Sequence, residues 1–517
     1  MGRRRFLRLG GAGSAALLLG TGSYGIGRAR AAPRGVSYPF TLGVASGDPL
    51  PGSVVLWTRL APDPLALDGT AGMPPRPVVV DWEVAEDERF RHGVRRGAAV
   101  ASPELGHTVH VEARGLRPGR EHFYRFRAGG ELSPVGRTRT APHPADRVGE
   151  LRLAIVACQH LEAGWFTAYR HLLADDPHLV AHCGDYIYES PSTSALNPRA
   201  HVGPEPLDLA GYRLRHAQYR TDPDLQAAHV LLPWTVTFDD HEVDNNWAGD
   251  VSEDPEVTPE EFRRRRAAAF QAYYEHMPLR TVHRPNGPDM LLHRRLRYGD
   301  LANLHVLDGR QHRHPQLACP DPMACPERLD PRRTMLGAEQ ERWLLDGLRR
   351  SGARWDVLVQ QVPFTRLDEA AGPASRFGRD NWNWFPAARQ RLQDVLATRA
   401  DLNPMVVGGE AHRHIAADVR ADWDDPDSPV VASEIVTTSV TTDGDGEEHS
   451  PWVDLVLAEN PHVAYARRQR GYVRCRLTRD TWSTDFRVVP FVSRPGAPVA
   501  TDASFVVEAG RRGLQPG

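Results

Sequence analysis

Cysteine is scarce in this chain, five residues among 517, which excludes a disulfide framework as the source of its stability. Net charge is nearly absent as well. A formal charge of −3 leaves no footprint for nucleic acid, because binders of that class concentrate basic residues on one face. The run from Arg263 to Arg266 sits in a helix-forming stretch rich in Glu and Ala and reads as a solvated helix face. Long low-complexity tracts, which keep a chain unfolded, are missing too. What is there is an ordinary globular composition, 41% hydrophobic and 25% charged. The length suits two domains, since single cores stop growing near ~300 residues.

Where the cysteines fall matters more than their number. Cys319 and Cys325 bracket a proline-containing loop, PDPMA, and in an oxidising compartment such a close pair is expected to form a bridge. Cys183 and Cys475 lie in apolar or alternating strand patterns and read as buried free thiols. Cys158 stands apart, at a strand end among polar residues.

The amino terminus carries Arg3, Arg4 and Arg5, then Phe6 and Leu7, then a weakly apolar run from Gly10 to Gly20 that is too short to span a bilayer. These residues resemble a twin-arginine export signal, with Ala29-Arg30-Ala31 as the small-residue cleavage site. An ordinary secretory signal is the alternative. Residues 1–32 are therefore expected to be removed, and the protein to be secreted or held in the cell envelope with the twin-arginine export machinery as partner. Export of that kind moves proteins that have already folded.

From Phe40 to about Arg139, short alternating runs such as VVLWTRL, VVVDWEV, HTVHVEA and HFYRFRA are separated by turn residues. They predict a small immunoglobulin-like or fibronectin-like β-sandwich at residues 36–140. A proline-rich, charged stretch from Thr140 to Glu150 marks a boundary. The larger part, 150–495, alternates buried-looking strands with helical stretches, which predicts an α/β (α+β) fold. Its strands are LRLAIVA (151–157), LVAHCGD (179–185), TVTFDD (235–240), NLHVLD (303–308), WDVLVQQ (355–361) and PMVVGGE (404–410). Residues 496–517 are expected as a carboxy-terminal extension.

Ligand sites in such architectures gather at the carboxyl ends of strands. The strand ends here carry Cys158-Gln159-His160, GDYIY (184–188), DDHE (239–242) and GGEAHRH (408–414). A thiolate and a phenolate suited to a trivalent ion, carboxylates able to bridge cations, and imidazoles together describe a multinuclear metal centre. A single Gly-Asp after a strand is usually a turn or cap. Four such ends in succession are hard to obtain as turns.

The order of these motifs resembles the metallophosphoesterase superfamily, with its GD, GNH and GHxH elements. The GDxxY of Asp185 and Tyr188 is similar to purple acid phosphatases, while Cys158 and DDHEVDNNWAG resemble the PhoD-type alkaline phosphatases and phosphodiesterases. The resemblance runs over nearly the whole mature chain, through FTLGVASGDPLPGSVVLWTRL, FQAYYEHMPLR and TMLGAEQERWLL. It implies a four-layer β-sandwich flanked by helices. It implies Fe3+ held by Cys158, Asp185, Tyr188 and His412, and one or two Ca2+ held by Asp240 and Glu410, with Asp185 shared. Glu410 stands where that family usually has Asp. The hard oxygen donors at 240 and 410 favour calcium over zinc.

The expected chemistry is hydrolysis of phosphate esters by a hydroxide or oxide that the cations activate. His241 is the candidate to protonate the leaving oxygen, the alternative being a structural hydrogen bond to Glu242 or Asp239. Arg310 reads as a phosphate fork or an ion pair. Trp382 and Trp384, in NWNWF, wall a cleft or pack in a core; Asn383 stands where Asp is common. Asn245, the candidate substrate contact, and Asn246 add carbonyl oxygens, and His160 and His414 are further imidazoles near the motifs; each reads either as a support behind the ligands or as facing solvent. The expected substrates are small phosphate esters, and the expected state is a monomer. A secreted phospholipase D of the same fold is the alternative, and a calcium-braced adhesion or carbohydrate-binding protein the alternative of another class.

Overall fold

In the strand Glu150–Val156, Leu151, Leu153 and Ile155 point to one side and Ala154 and Val156 to the other, the period-two consequence of a pleated backbone. Both faces are apolar, so both must be covered. The first face packs on a second sheet and the other on helices. The computed structural model describes residues 37–319, 325–399, 401–425 and 427–517. The expected export signal at 1–32 lies outside the described residues.

The larger sheet has ten strands, in spatial order Arg511–Pro516, Ala500–Glu508, Thr481–Val489, Arg470–Thr478, Glu150–Val156, Leu179–His182, Pro233–Val236, Val44–Leu50, Ser53–Arg59 and Thr108–Arg114. The second has seven: Arg294–Tyr298, Ala302–Val306, Trp355–Val359, Pro404–Gly408, Val430–Val436, His414–Arg420 and Val463–Arg467. Leu153, Ile155, Ala157 and Ala181 of one sheet meet Leu304, Val306, Val357, Val359 and Val407 of the other in a shared core. Helices Ala168–Asp175, Leu209–Arg220, Pro223–Leu231 and Pro259–His276 cover the outer face of the larger sheet. Helices Gly337–Arg349 and Pro386–Thr398 cover the outer face of the smaller. This is the four-layer arrangement expected from the sequence. The strands Glu150–Val156, Leu179–His182 and Pro233–Val236 run parallel, as do Ala302–Val306, Trp355–Val359 and Pro404–Gly408, so the polar strand ends lie on one side of the molecule.

The amino-terminal β-sandwich is present, but only one of its sheets is its own. Strands Val78–Ala85, Arg95–Ala101, Glu121–Ala128, Glu131–Leu132 and Gly136–Arg139 form a small antiparallel sheet. It packs through Val80, Val84, Tyr124 and Phe126 on Val44, Val54, Leu56, Val109 and Val111. Those last residues belong to the ten-stranded sheet, where Ser46 and Gly47 pair in parallel with Pro233 and Trp234. The stretch from Thr140 to Glu150 therefore leads from the small sheet, which ends in Gly136–Arg139, into the ten-stranded sheet at Glu150–Val156, and the two lobes share that larger sheet. The last residues are likewise no appendage. Ala500–Glu508 and Arg511–Pro516 close the other edge of that sheet, because the alternating SFVVE run puts Phe505 and Val507 into the shared core.

Two further expectations concern local chemistry. Cys319 and Cys325 are disulfide-bonded, while Cys183 and Cys475 are buried free thiols. The Arg263 to Arg266 run is solvated only in its first half. Helix Pro259–His276 opens with a capping box between Thr258 and Glu261, and its register turns the second half inward. Arg265 contacts Tyr212, Asp244 and Glu205; Arg266 bonds the carbonyls of Gly249 and Pro288. These contacts brace the loop that follows Asp240.

Several histidines are sealed in this fold as neutral groups. Burial lowers His110 to about 4, and His216, beside Arg59 and Arg220, to about 3. The folded values lie below the free value near 6.5, so the unfolded chain binds more protons in between. Their contribution to stability is present above pH ~6.5 and is lost as pH falls, at up to ~1.4 kcal/mol per unit for each group. A thermal melt followed from pH 7 down to pH 5 is expected to show a steep fall in Tm. His110→Gln should flatten it.

Candidate metal centre

Three of the four ligand loops leave their strands through a sharp reversal. Cys158, Asp185, Glu410 and His412 have φ of 58°, 57°, 61° and 53°, the left-handed region that a side chain occupies at a cost of ~1–3 kcal/mol. Four of the six expected metal ligands are held this way. Gly184 allows the second loop to reach the third, since a Cβ there would lie 2.4 Å from Asp239 Cβ. Gly409 does the same for the fourth loop, against Ala157 Cβ at 2.3 Å.

The strained loops are tied to one another. Cys158 N donates to Gly184 O (3.1 Å) and Gln159 N to Asp185 O (3.0 Å). The buried Glu242 carboxylate accepts from the amides of Asp185 (3.1 Å), Tyr186 (2.7 Å) and Asp239 (2.9 Å). Burial pushes it up to about 8 in spite of these bonds. Tyr219 OH accepts from Leu161 N (3.1 Å) and Tyr188 N (3.0 Å) and lies 3.0 Å from His201 Nε2. Tyr188 is thereby fixed from its own backbone.

Five of the expected ligands converge. Cys158, Asp185 and His412 place ligand atoms within 4.8 Å of one another, and so do Asp185, Asp240 and His241. Tyr188 OH donates to Asp185 Oδ2 (2.9 Å) and lies 3.3 Å from His412 Nε2. His412 Nδ1 is 3.1 Å from Asp443 Oδ2, which orients the ring and leaves Nε2 facing the cluster. Asp185 belongs to both groups and so sits between two adjacent cation positions.

The donor atoms fit metal ions. Asp185 Oδ1, Asp239 Oδ2 and Asp240 Oδ1 are buried and accept no hydrogen bond, a costly state that a cation relieves. Burial, then the charge of Asp240, pushes the Asp185 carboxyl well up. Burial, with Asp185 and Glu410 beside it, does the same to the Cys158 thiol. Burial and the Asp185 charge also push up the Tyr188 phenol. Multivalent cations reverse each of these penalties, since ligands bind as anions. Asp239 goes up to about 7 through burial, Arg310 opposing. Burial also works against the Asp240 carboxylate, but Arg310 and His241 outweigh it and hold it low.

Other expected residues land differently. Glu410 lies outside both ligand groups among the described residues, although its half-buried carboxyl is pushed up by partial burial and then by Asp380, Asp239 and Asp240. His241 Nδ1 lies 2.7 Å from Glu189 Oε2, so its partner is neither Glu242 nor Asp239. Arg310 is completely buried in ion pairs with Asp239 and Asp380. The Asn245 and Asn246 amides donate to Glu253. Trp382 and Trp384 do not wall a cleft. They are 2% and 1% exposed, and their indole N–H groups donate to Gln360 Oε1 and Gly378 O. Both belong to the core under helix Pro386–Thr398, where apolar burial outweighs any role at the surface. Asn383 accepts from Arg389 (2.8 Å) in the same core. His160 stacks on Tyr188, ring centres 4.5 Å apart, and His241 lies 4.1 Å from the same ring. His414 Nδ1 accepts from Thr438 N (3.1 Å) and its ring is fully buried.

The sequence reading missed Glu189, Arg313 and Asp380. Glu189 directly follows Tyr188 and could have been found as the last residue of GDYIYE. Asp380 adjoins NWNWF but carries no spacing signal, because its partners lie some seventy residues away in sequence.

A pair of packed mixed sheets whose strand ends gather a thiol, a phenol, carboxylates and imidazoles around a shared aspartate defines a metallophosphatase. The chain belongs to the PhoD-like phosphatase family: that family's model matches residues 153–486, and the model for its amino-terminal domain matches residues 27–142. It is 46% identical over 523 residues to alkaline phosphatase D of Bacillus subtilis (strain 168), across 99% of this chain and 88% of that protein. A solved structure of PhoD superposes with a TM-score of 0.90 at 47% identity, covering 94% of this chain and 93% of that one.

Proposed function

We propose that this phosphoesterase of the alkaline phosphatase D type is exported and binds a ferric ion through Cys158, Asp185, Tyr188 and His412. One or two calcium ions would be held around Asp185, Asp240 and Glu410. The observation that carries this reading is the sharing of Asp185 by two ligand groups of unlike chemistry. One is rich in soft and phenolic donors and the other in carboxylate oxygen. Bound cations there supply positive charge for phosphate oxygens and acidify water near neutral pH.

The chain's own residues do the rest. Glu189 fixes His241 through Nδ1 and is itself pinned by Asn245 N (2.9 Å). That leaves His241 Nε2 to give a proton to the departing oxygen. Arg310, charged and dry between Asp239 and Asp380, adds positive charge behind the Asp240 loop. Export is supported by the twin-arginine resemblance and by the Cys319–Cys325 bridge, which suits an oxidising compartment. The export machinery would be its partner.

The test is metal analysis of the exported protein with a visible spectrum and rates on p-nitrophenyl phosphate, bis-p-nitrophenyl phosphate and phosphatidylcholine. Iron, calcium and a charge-transfer band abolished by chelation are expected, with at least one ester cleaved. Preference for phosphatidylcholine would make it a phospholipase D. A colourless, iron-free preparation at full rate would sink the metal assignment.

A further inference from the structure

Arg310 is tied to the ligand loops from behind and covered in front. Its Nε donates to Asp239 Oδ1, and its Nη2 lies 3.5 Å from Asp240 Oδ1 and 2.6 Å from Asp380 Oδ2. Asp380, on the segment between strand Trp355–Val359 and helix Pro386–Thr398, is the most open of these groups, its side chain 13% exposed against 0% for Arg310. Its Oδ1 accepts from Arg313 Nη2 and from Gln316 Nε2 (2.7 Å). Neither Nη atom of Arg310 has a partner in hydrogen-bond geometry, and neither has Asp380 Oδ2. The fork is held by carboxylates on two sides, Asp239 behind it and Asp380 in front.

Asp380 is linked to the ligand loops through Arg310, which it shares with Asp239 and Asp240. Asp239 and Asp240 already engage Arg310 from the loop that follows strand Pro233–Val236. Asp380 adds a third carboxylate to the pair Arg310 and Arg313, and it alone of the three bonds Arg313. An entering phosphate group therefore meets guanidinium charge that is already compensated. In alkaline solution a phosphomonoester carries two negative charges and a phosphodiester one. A fixed negative charge at this distance penalises the first more than the second.

We propose that Asp380 is a specificity-determining residue: by matching the charge of Arg310 and Arg313 it weights the site toward singly charged phosphodiesters over doubly charged monoesters. This rests on the phosphoesterase reading above.

Asp380→Asn keeps the shape and drops the charge. In the metal-loaded enzyme it is expected to raise the ratio of kcat/KM for p-nitrophenyl phosphate over bis-p-nitrophenyl phosphate about tenfold. Inorganic phosphate should inhibit it at roughly tenfold lower concentration. Asp380→Glu should restore the wild-type ratio, which separates charge from packing. If Asp380→Asn does not accumulate folded, Asp380→Ser carries the same expectation. A neutral variant with wild-type metal content and an unchanged or lowered ratio overturns the proposal. A wild-type enzyme that cleaves neither ester overturns the reading beneath it, a distinct result.

Discussion

Asp185→Asn is expected to lose catalysis by a factor on the order of 10⁴ while the metal-free protein becomes no less stable, and even more so. The two halves of that result have one cause. Asp185 is the group common to both ligand sets, so neutralising it removes charge from both cation positions at once. Without cations, however, its carboxyl is buried, has an unpartnered Oδ1 and is repelled by Asp240. An amide of the same shape relieves that repulsion, and stability withheld for function returns. Metal content by elemental analysis, turnover, and melts of the chelated wild type and variant measure all three. A variant that keeps both metals and its rate would show that Asp185 is not shared.

His241→Ala is expected to lower kcat by roughly 10²–10³ with metal content near wild type. The ring is anchored by Glu189 and packs at a tilt against Tyr188, so it is placed by the same segment that supplies ligands. If it protonates the leaving oxygen, the loss must grow with the basicity of that oxygen. Alkyl phosphates should suffer most and nitrophenyl esters least. Equal losses across leaving groups would assign His241 to orienting phosphate instead. Glu189→Gln should reproduce the pattern at smaller amplitude, about tenfold.

The layers and strand ends of this fold were legible because burial on both faces writes continuous apolar runs, and because ligand types are rare enough to stand out after them. Cys158, Asp185, Tyr188, Asp240 and His412 all lie directly behind such runs. Long-range charge pairing leaves no such trace. Asp380 finds Arg310 and Arg313 only after two loops fold over each other, and nothing in its neighbours announces it. Tryptophan misled for a related reason: Trp382 and Trp384 sit beside a polar segment in sequence but under a helix in space. The span of the ten-stranded sheet was hidden too, since Val44–Leu50 looks like any sandwich strand until it pairs with Pro233–Val236.

That pairing constrains how the molecule can evolve and move. Backbone hydrogen bonding across Ser46 and Gly47 makes the two lobes a single plate, so they cannot swing like jaws to admit a bulky lipid or release a product. Adaptation to new esters must come through the rim. A version pared down to its chemistry alone would bare an unpaired strand margin, the kind that recruits neighbours into aggregates.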